Sequence, residues 1–187
     1  MKSRILCVAF VLGLTSVSAI RADDDVWSKY TLPAGKYDVL LPGTPLKQTK
    51  TMRTPLGNIE VKVAAAVDLD KGVNYVVGTF EIPRGVVGKF GADEESVLDG
   101  MAHGFVLGGR GKVIRQEKVM IAGWPGREVR ATIFDGAGEL HGRFCLIDGR
   151  AYLLIVMAPA DSLDARDAER FFDSFQPVAP VRPARQR

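Results

Sequence analysis

The run from Gly123 to Met157 admits few folds. Arg127–Phe134, Glu139–Ile147 and Arg150–Met157 are each of strand length, and turn residues separate them. Asp148-Gly149 stands between two apolar runs. That pair suits a two-residue type I′ turn, because Gly takes positive φ at no steric cost and Asp tolerates it. Asp135-Gly136-Ala137-Gly138 joins the first two strands. The pattern predicts an antiparallel meander of three strands.

The turns set the register, and the register sorts the side chains. A two-residue loop at Asp148-Gly149 pairs Ile147 with Arg150 and Phe144 with Leu153. A two-residue loop at Gly136-Ala137 sets Ala131 opposite Gly142, Val129 opposite Phe144 and Arg130 opposite Arg143. Alternate residues share a face. One face collects Val129, Ala131, Ile133, Leu140, Gly142, Phe144, Leu146, Ala151, Leu153, Ile155 and Met157, so it must be covered. The other is mixed: Glu128, Arg130, Thr132, His141, Arg143, Cys145, Tyr152, Leu154 and Val156.

The start of the chain reads as a processing signal over residues 1–22. Lys2 and Arg4 precede an apolar core, Ile5–Leu14, too short to span a bilayer. Val17-Ser18-Ala19 fits the cleavage rule, as does a cut after Ala22. Cys7 lies inside the apolar core, so it is not placed for a lipoprotein anchor. A periplasmic or secreted protein is expected, with no transmembrane span after cleavage. Cutting after Ala22 removes Lys2, Arg4 and Arg21 and leaves basic and acidic side chains in equal number. Arg182, Arg185 and Arg187 sit at the far end, so the folded body is mildly acidic and no nucleic-acid partner is implied. One thiol, Cys145, remains, which leaves no internal disulfide.

The expected organisation is a leader over 23–35, a single domain over 36–176 and a disordered Pro/Arg tail over 177–187. Tyr37–Leu41 is a short strand closed by Pro42-Gly43. Lys47–Thr54 and Asn58–Leu69 form a hairpin around Pro55-Leu56-Gly57. In its second arm Ile59, Val61, Val63, Ala65, Val67 and Leu69 mark a period of two. Val73–Ile82 is a further strand. Gly85–Gly91 lacks the Gly-Lys-Ser/Thr ending of a phosphate loop. Asp93–Leu107 is a helix capped by Asp93, with His103 off its apolar stripe and therefore at the surface. Lys112–Ile121, rich in charge, reads as a strand near a sheet edge. Asp161 or Ser162 caps a last helix. Ala168, Phe171, Phe172 and Phe175 line one of its faces and are candidates to cover the apolar face of the meander, while Arg166, Arg170 and Asp173 point away.

Four short motifs follow one another along this framework: Tyr37-Asp38-Val39-Leu40-Leu41-Pro42-Gly43-Thr44-Pro45, Gly123-Trp124-Pro125-Gly126-Arg127-Glu128, Gly149-Arg150-Ala151-Tyr152-Leu153 and Phe171-Phe172-Asp173-Ser174-Phe175. In this order, from Tyr37 to Phe175, the chain resembles the small exported proteins of the PsbP-like and DcrB-like group. The resemblance implies an α+β fold, a mostly antiparallel sheet with helices packed on it as an α/β/α sandwich. It also implies an accessory or binding role rather than catalysis. No metal-ligand role passes from the photosystem proteins to His103 or His141.

Two function classes are compatible with these residues. The first is a non-catalytic exported binding or accessory domain, taking a polar or anionic ligand or an envelope protein. Its candidate site is the mixed face, through Glu128, Arg130, His141, Arg143 and Tyr152. Arg130 opposite Arg143 is a like-charge pair, which Glu128, solvent or a bound anion must relieve. The second is an exported hydrolase using His141 or Cys145. Four residues apart on one strand, at about 3.4 Å each, these two lie roughly 13 Å apart, beyond the reach of a nucleophile and its base. Two histidines and one cysteine give no metal-site spacing, and no cofactor is expected.

Overall fold

Asp148 and Gly149 both take left-handed φ, 50° and 75°, and Ile147 pairs with Arg150 across them. These are the conformations the turn residues demand. The computed structural model describes residues 27–54, 57–82 and 93–178. The signal segment, the connector Gly85–Gly91 and the end of the Pro/Arg tail lie outside these residues.

The strands are β1 (Trp27–Leu32), β2 (Tyr37–Pro42), β3 (Leu46–Thr54), β4 (Gly57–Asp68) and β5 (Val73–Glu81). Helix α1 (Glu94–Gly108) follows, then β6 (Lys112–Ile121), β7 (Trp124–Ile133), β8 (Gly138–Ile147) and β9 (Arg150–Pro159). Helix α2 (Ala165–Asp173) and the short β10 (Gln176–Pro177) close the described chain. Seven strands form one antiparallel sheet in the order β3-β4-β5-β9-β8-β7-β6, and β1-β2-β10 form a smaller one. The charged strand β6 is an edge, as its composition predicts.

Two covering layers flank the large sheet. Helix α1 lays Leu98, Ala102 and Val106 on Val129, Ala131, Ile133, Leu140, Phe144 and Ile155. This is the wholly apolar row of the meander. The opposite row is covered by the small sheet, through Tyr30, Tyr37, Val39 and Leu41, and by α2, through Ala168, Phe171 and Phe172. Burying each large apolar side chain contributes about 1.5–3 kcal/mol before chain entropy is subtracted.

Several expectations are corrected. The final helix covers the mixed face of the meander, not the apolar one, because the apolar face is already taken by α1. Its cap is Asp164, whose Oδ1 accepts from Arg166 N at 2.8 Å, rather than Asp161 or Ser162. The stretch read as a leader contains β1, which pairs along its whole length with β2. At the other end Pro177 pairs with Tyr37, and Val178 N donates to Lys36 O at 2.8 Å. Val67 and Leu69 end the apolar row of β4 in solvent.

The connection between β7 and β8 is longer than a two-residue loop. Phe134–Ala137 form one tight turn, in which Ala137 N donates to Phe134 O at 3.2 Å, with Phe134, Asp135 and Gly136 all at left-handed φ. Ile133 therefore pairs with Gly138, and Val129 faces Gly142 rather than Phe144. The shift is by two residues, so each side chain keeps its face and changes its partner.

Phe172 is buried against the sheet, whereas Phe134 is 53% exposed. Urea denaturation of Phe172→Ala is expected to show a loss of about 3–5 kcal/mol, with Phe134→Ala close to wild type. Equal stability of the two variants would mean that α2 is not docked.

Candidate functional site

The expected site residues come from β7, β8 and β9, and strand pairing decides which meet. Glu128 stands between Glu117 of β6 and Arg143 of β8; Arg130 stands between Arg115 and His141. The like-charge pair predicted between Arg130 and Arg143 is replaced by a complementary Glu128–Arg143 pair, a consequence of the two-residue shift. A like-charge pair does form elsewhere, between Arg130 and Arg115. Tyr152 stands apart. It pairs with Cys145, packs edge-on against Phe175 and Tyr37, and its hydroxyl donates to Lys36 O at 3.2 Å.

Arg143 is the hub of the cluster. Its Nε donates to Glu128 Oε2 at 2.7 Å, its Nη2 to Glu169 Oε2 at 2.6 Å and its Nη1 to Asp173 Oδ1 at 3.3 Å. The guanidinium carbon lies 4.6 Å from the centre of the Phe172 ring. One half-buried cation thus joins the sheet to two carboxylates and an aromatic ring of α2. Charge-assisted bonds of this kind are the strong ones. Asp173, expected to point away from the sheet, is one of the partners.

His141 is the opposite case. It is 1% exposed, and Phe172 meets its ring edge-on at 4.6 Å. Nε2 comes within 3.0 Å of Glu128 Oε1 but is not aligned for a hydrogen bond, and neither ring nitrogen has a hydrogen-bond partner among the described residues. Burial holds the imidazole below its ordinary pKa, against the opposing pull of Glu128. Burial pushes the Glu128 carboxyl up, yet the hydrogen bond and charge of Arg143 outweigh it and hold the group below the usual range.

Cys145 is fully buried, and burial pushes its thiol up to about 12. The nucleophile is a thiolate, so this thiol is unreactive near neutral pH. His141 lies four residues away along the same regular strand, and His103 is exposed on α1, across the sheet. Among the described residues no Cys–His pair forms. Among the described residues no three potential metal ligands cluster, and no helix is long and apolar enough to cross a membrane.

A second ionic chain is invisible in the strand pattern. Arg127 donates through Nε to Asp99 at 2.6 Å, and its Nη2 lies 3.4 Å from Glu95; Lys118 reaches the same Glu95 at 2.7 Å. It ties β6 and β7 to α1. Helical spacing places Glu95 and Asp99 one turn apart, which is the one local hint that they act together.

The fold has counterparts among solved structures. PsbP of the cyanobacterium Synechocystis superposes with a TM-score of 0.57 over 88% of this chain and 98% of its own, at 14% identity. A protein of unknown function from Pseudomonas aeruginosa aligns over 76% of this chain and 90% of its own, with a TM-score of 0.36 and 10% identity. No protein-family model and no curated protein matches the chain. The first superposition defines a PsbP-like fold, a mostly antiparallel α+β sheet with helices packed on it.

The His141 environment makes stability depend on pH. Unfolded, His141 takes its proton near 6.5; folded, it takes it only at lower pH. The unfolded chain binds more protons between these values, so stability falls as pH drops from about 6.5. Glu128 acts in the same direction at lower pH, since its stabilising charge is lost as pH falls through its depressed folded value. Urea midpoints measured from about pH 7.5 to 5 should decline in wild type and change less in His141→Gln. Parallel slopes would show that His141 titrates freely.

Proposed function

We propose that the protein is a non-catalytic exported accessory domain that takes a polar or anionic ligand at the Arg130 end of the mixed face, in the periplasm or the secreted fraction. The signal-like start supports export, and the PsbP-like fold is compatible with an accessory role. One observation carries the binding reading. Arg130 stands directly opposite Arg115, and no carboxylate among the described residues forms an ion pair with it. Arg115 is bound to Glu117 at 2.7 Å and remains largely exposed. Two guanidiniums side by side on a sheet repel each other, and a bound anion relieves that repulsion.

The other members of the expected site take supporting places. Glu128 is engaged with Arg143, which also binds α2, and His141 lies beneath Phe172. Tyr152 sits on β9, two strands from Arg130 and four residues from the Val156 that faces His141. A screen of small anions and envelope polymers against the mature domain tests the reading. A ligand held by Arg130 should bind roughly tenfold or more weakly to Arg130→Ala, the usual size of a lost charge-assisted hydrogen bond. A ligand that binds Arg130→Ala and Arg115→Ala as tightly as wild type would make this face purely structural.

A further inference from the structure

The first turn of α1, the end of the β6–β7 hairpin and Leu146 of β8 enclose an open groove of about 430 Å³. That is the size of a small-ligand site. Leu98, Met120, Pro125 and Leu146 give it an apolar lining. Lys118, Arg127 and Glu95 line it as well. It lies on the α1 side of the sheet, so it is independent of the Arg130 site. Part of its wall is Pro125-Gly126-Arg127, from a motif that the Arg130 site leaves unexplained.

The charges in the groove differ in how firmly they are held. The Arg127 side chain is 6% exposed and is anchored by Asp99 at 2.6 Å. Lys118 Nζ lies 2.7 Å from each oxygen of Glu95, and Arg127 Nη2 lies 3.4 Å from Glu95 Oε2. A fixed guanidinium and an ammonium therefore converge on one carboxylate. That carboxylate ends a side chain that is itself 56% exposed. An exposed pair of this kind is weakly held, and it separates at little cost. The protein fixes where a carboxylate is received; the carboxylate filling the place is free to leave.

We propose that the groove binds an amphipathic carboxylate. Its apolar body lies on Leu98, Met120, Pro125 and Leu146. Its carboxylate takes the position of Glu95 between Lys118 and Arg127. Glu95 then acts as an internal competitor that closes the cationic end when no ligand is bound.

Octanoate and octanol, titrated into the mature domain and followed by amide chemical shifts, test this directly. Octanoate should bind saturably, shift the amides of Leu98 and Arg127, and bind more tightly than octanol. Glu95→Gln should tighten octanoate about two- to fivefold, the equivalent of one exposed ion pair removed, and leave octanol unchanged. Lys118→Gln should weaken octanoate. Both positions are exposed, so an unchanged melting temperature confirms that the variants fold. Absence of saturable octanoate binding to both wild type and Glu95→Gln would overturn the proposal. So would octanol binding as tightly as octanoate, or a Glu95→Gln affinity equal to that of wild type.

Discussion

The middle strands of the large sheet are buried on both faces, and the rest of the molecule answers to that constraint. Leu154, Ile155 and Val156 of β9 are consecutive, point alternately to opposite sides, and are all at most 1% exposed. A strand of this kind needs a cover on each side. Helix α1 provides one; the small sheet and α2 together provide the other. The order of the layers then determines where polar groups can lie. Glu128, His141 and Arg143 occupy the second face, so whatever covers them must satisfy them. Helix α2 does so for Arg143, through Glu169 and Asp173, and packs Phe171 and Phe172 over the rest. Further ties act at its other edges. Lys71 bonds Asp167 at 2.7 Å, and the guanidinium of Arg170 lies 4.7 Å from the centre of the Trp27 ring.

The polar cluster beneath α2 is unevenly satisfied. Arg143 and Glu128 neutralise each other with good geometry, and in such a pair the loss of one partner is costly because the other is left charged and desolvated. His141 has neither nitrogen hydrogen-bonded among the described residues, and a buried unsatisfied group costs about 1–3 kcal/mol. The layer that carries the most charge is thus also the layer most sensitive to protonation. Among the described residues the α1 face has no buried titratable group left without a partner; its ionic chain through Arg127, Asp99, Glu95 and Lys118 runs around the rim of the apolar cluster.

Local chemistry made much of this readable in advance. Asp148-Gly149 set the β8–β9 register correctly, because the turn needs positive φ at both positions and those residues supply it. Period-two alternation sorted the two faces of the meander, and charge marked β6 as an edge. The β7–β8 turn was misjudged because Phe134 takes a left-handed conformation that nothing in a phenylalanine signals. The error was even in residues, so the faces survived while Arg143 exchanged one partner for another. Which face α2 would choose was not legible at all. Its aromatic stripe fits either face, and the choice depends on α1, some sixty residues earlier, having taken the other. For the same reason nothing in the sequence singles out Glu169, and Asp173, expected to point away, joins the cluster.

A double-mutant cycle at Glu128 and Arg143 measures most directly whether the charges of the mixed face act as one buried unit beneath α2. The single variants Glu128→Gln and Arg143→Gln and the double variant are compared by urea denaturation with wild type. Residues in one buried network are expected to couple by about 0.5–3 kcal/mol, so the double variant should be more stable than the two single losses added together. Single losses that simply add would contradict such a unit and leave Glu128 and Arg143 as independent charges under the helix.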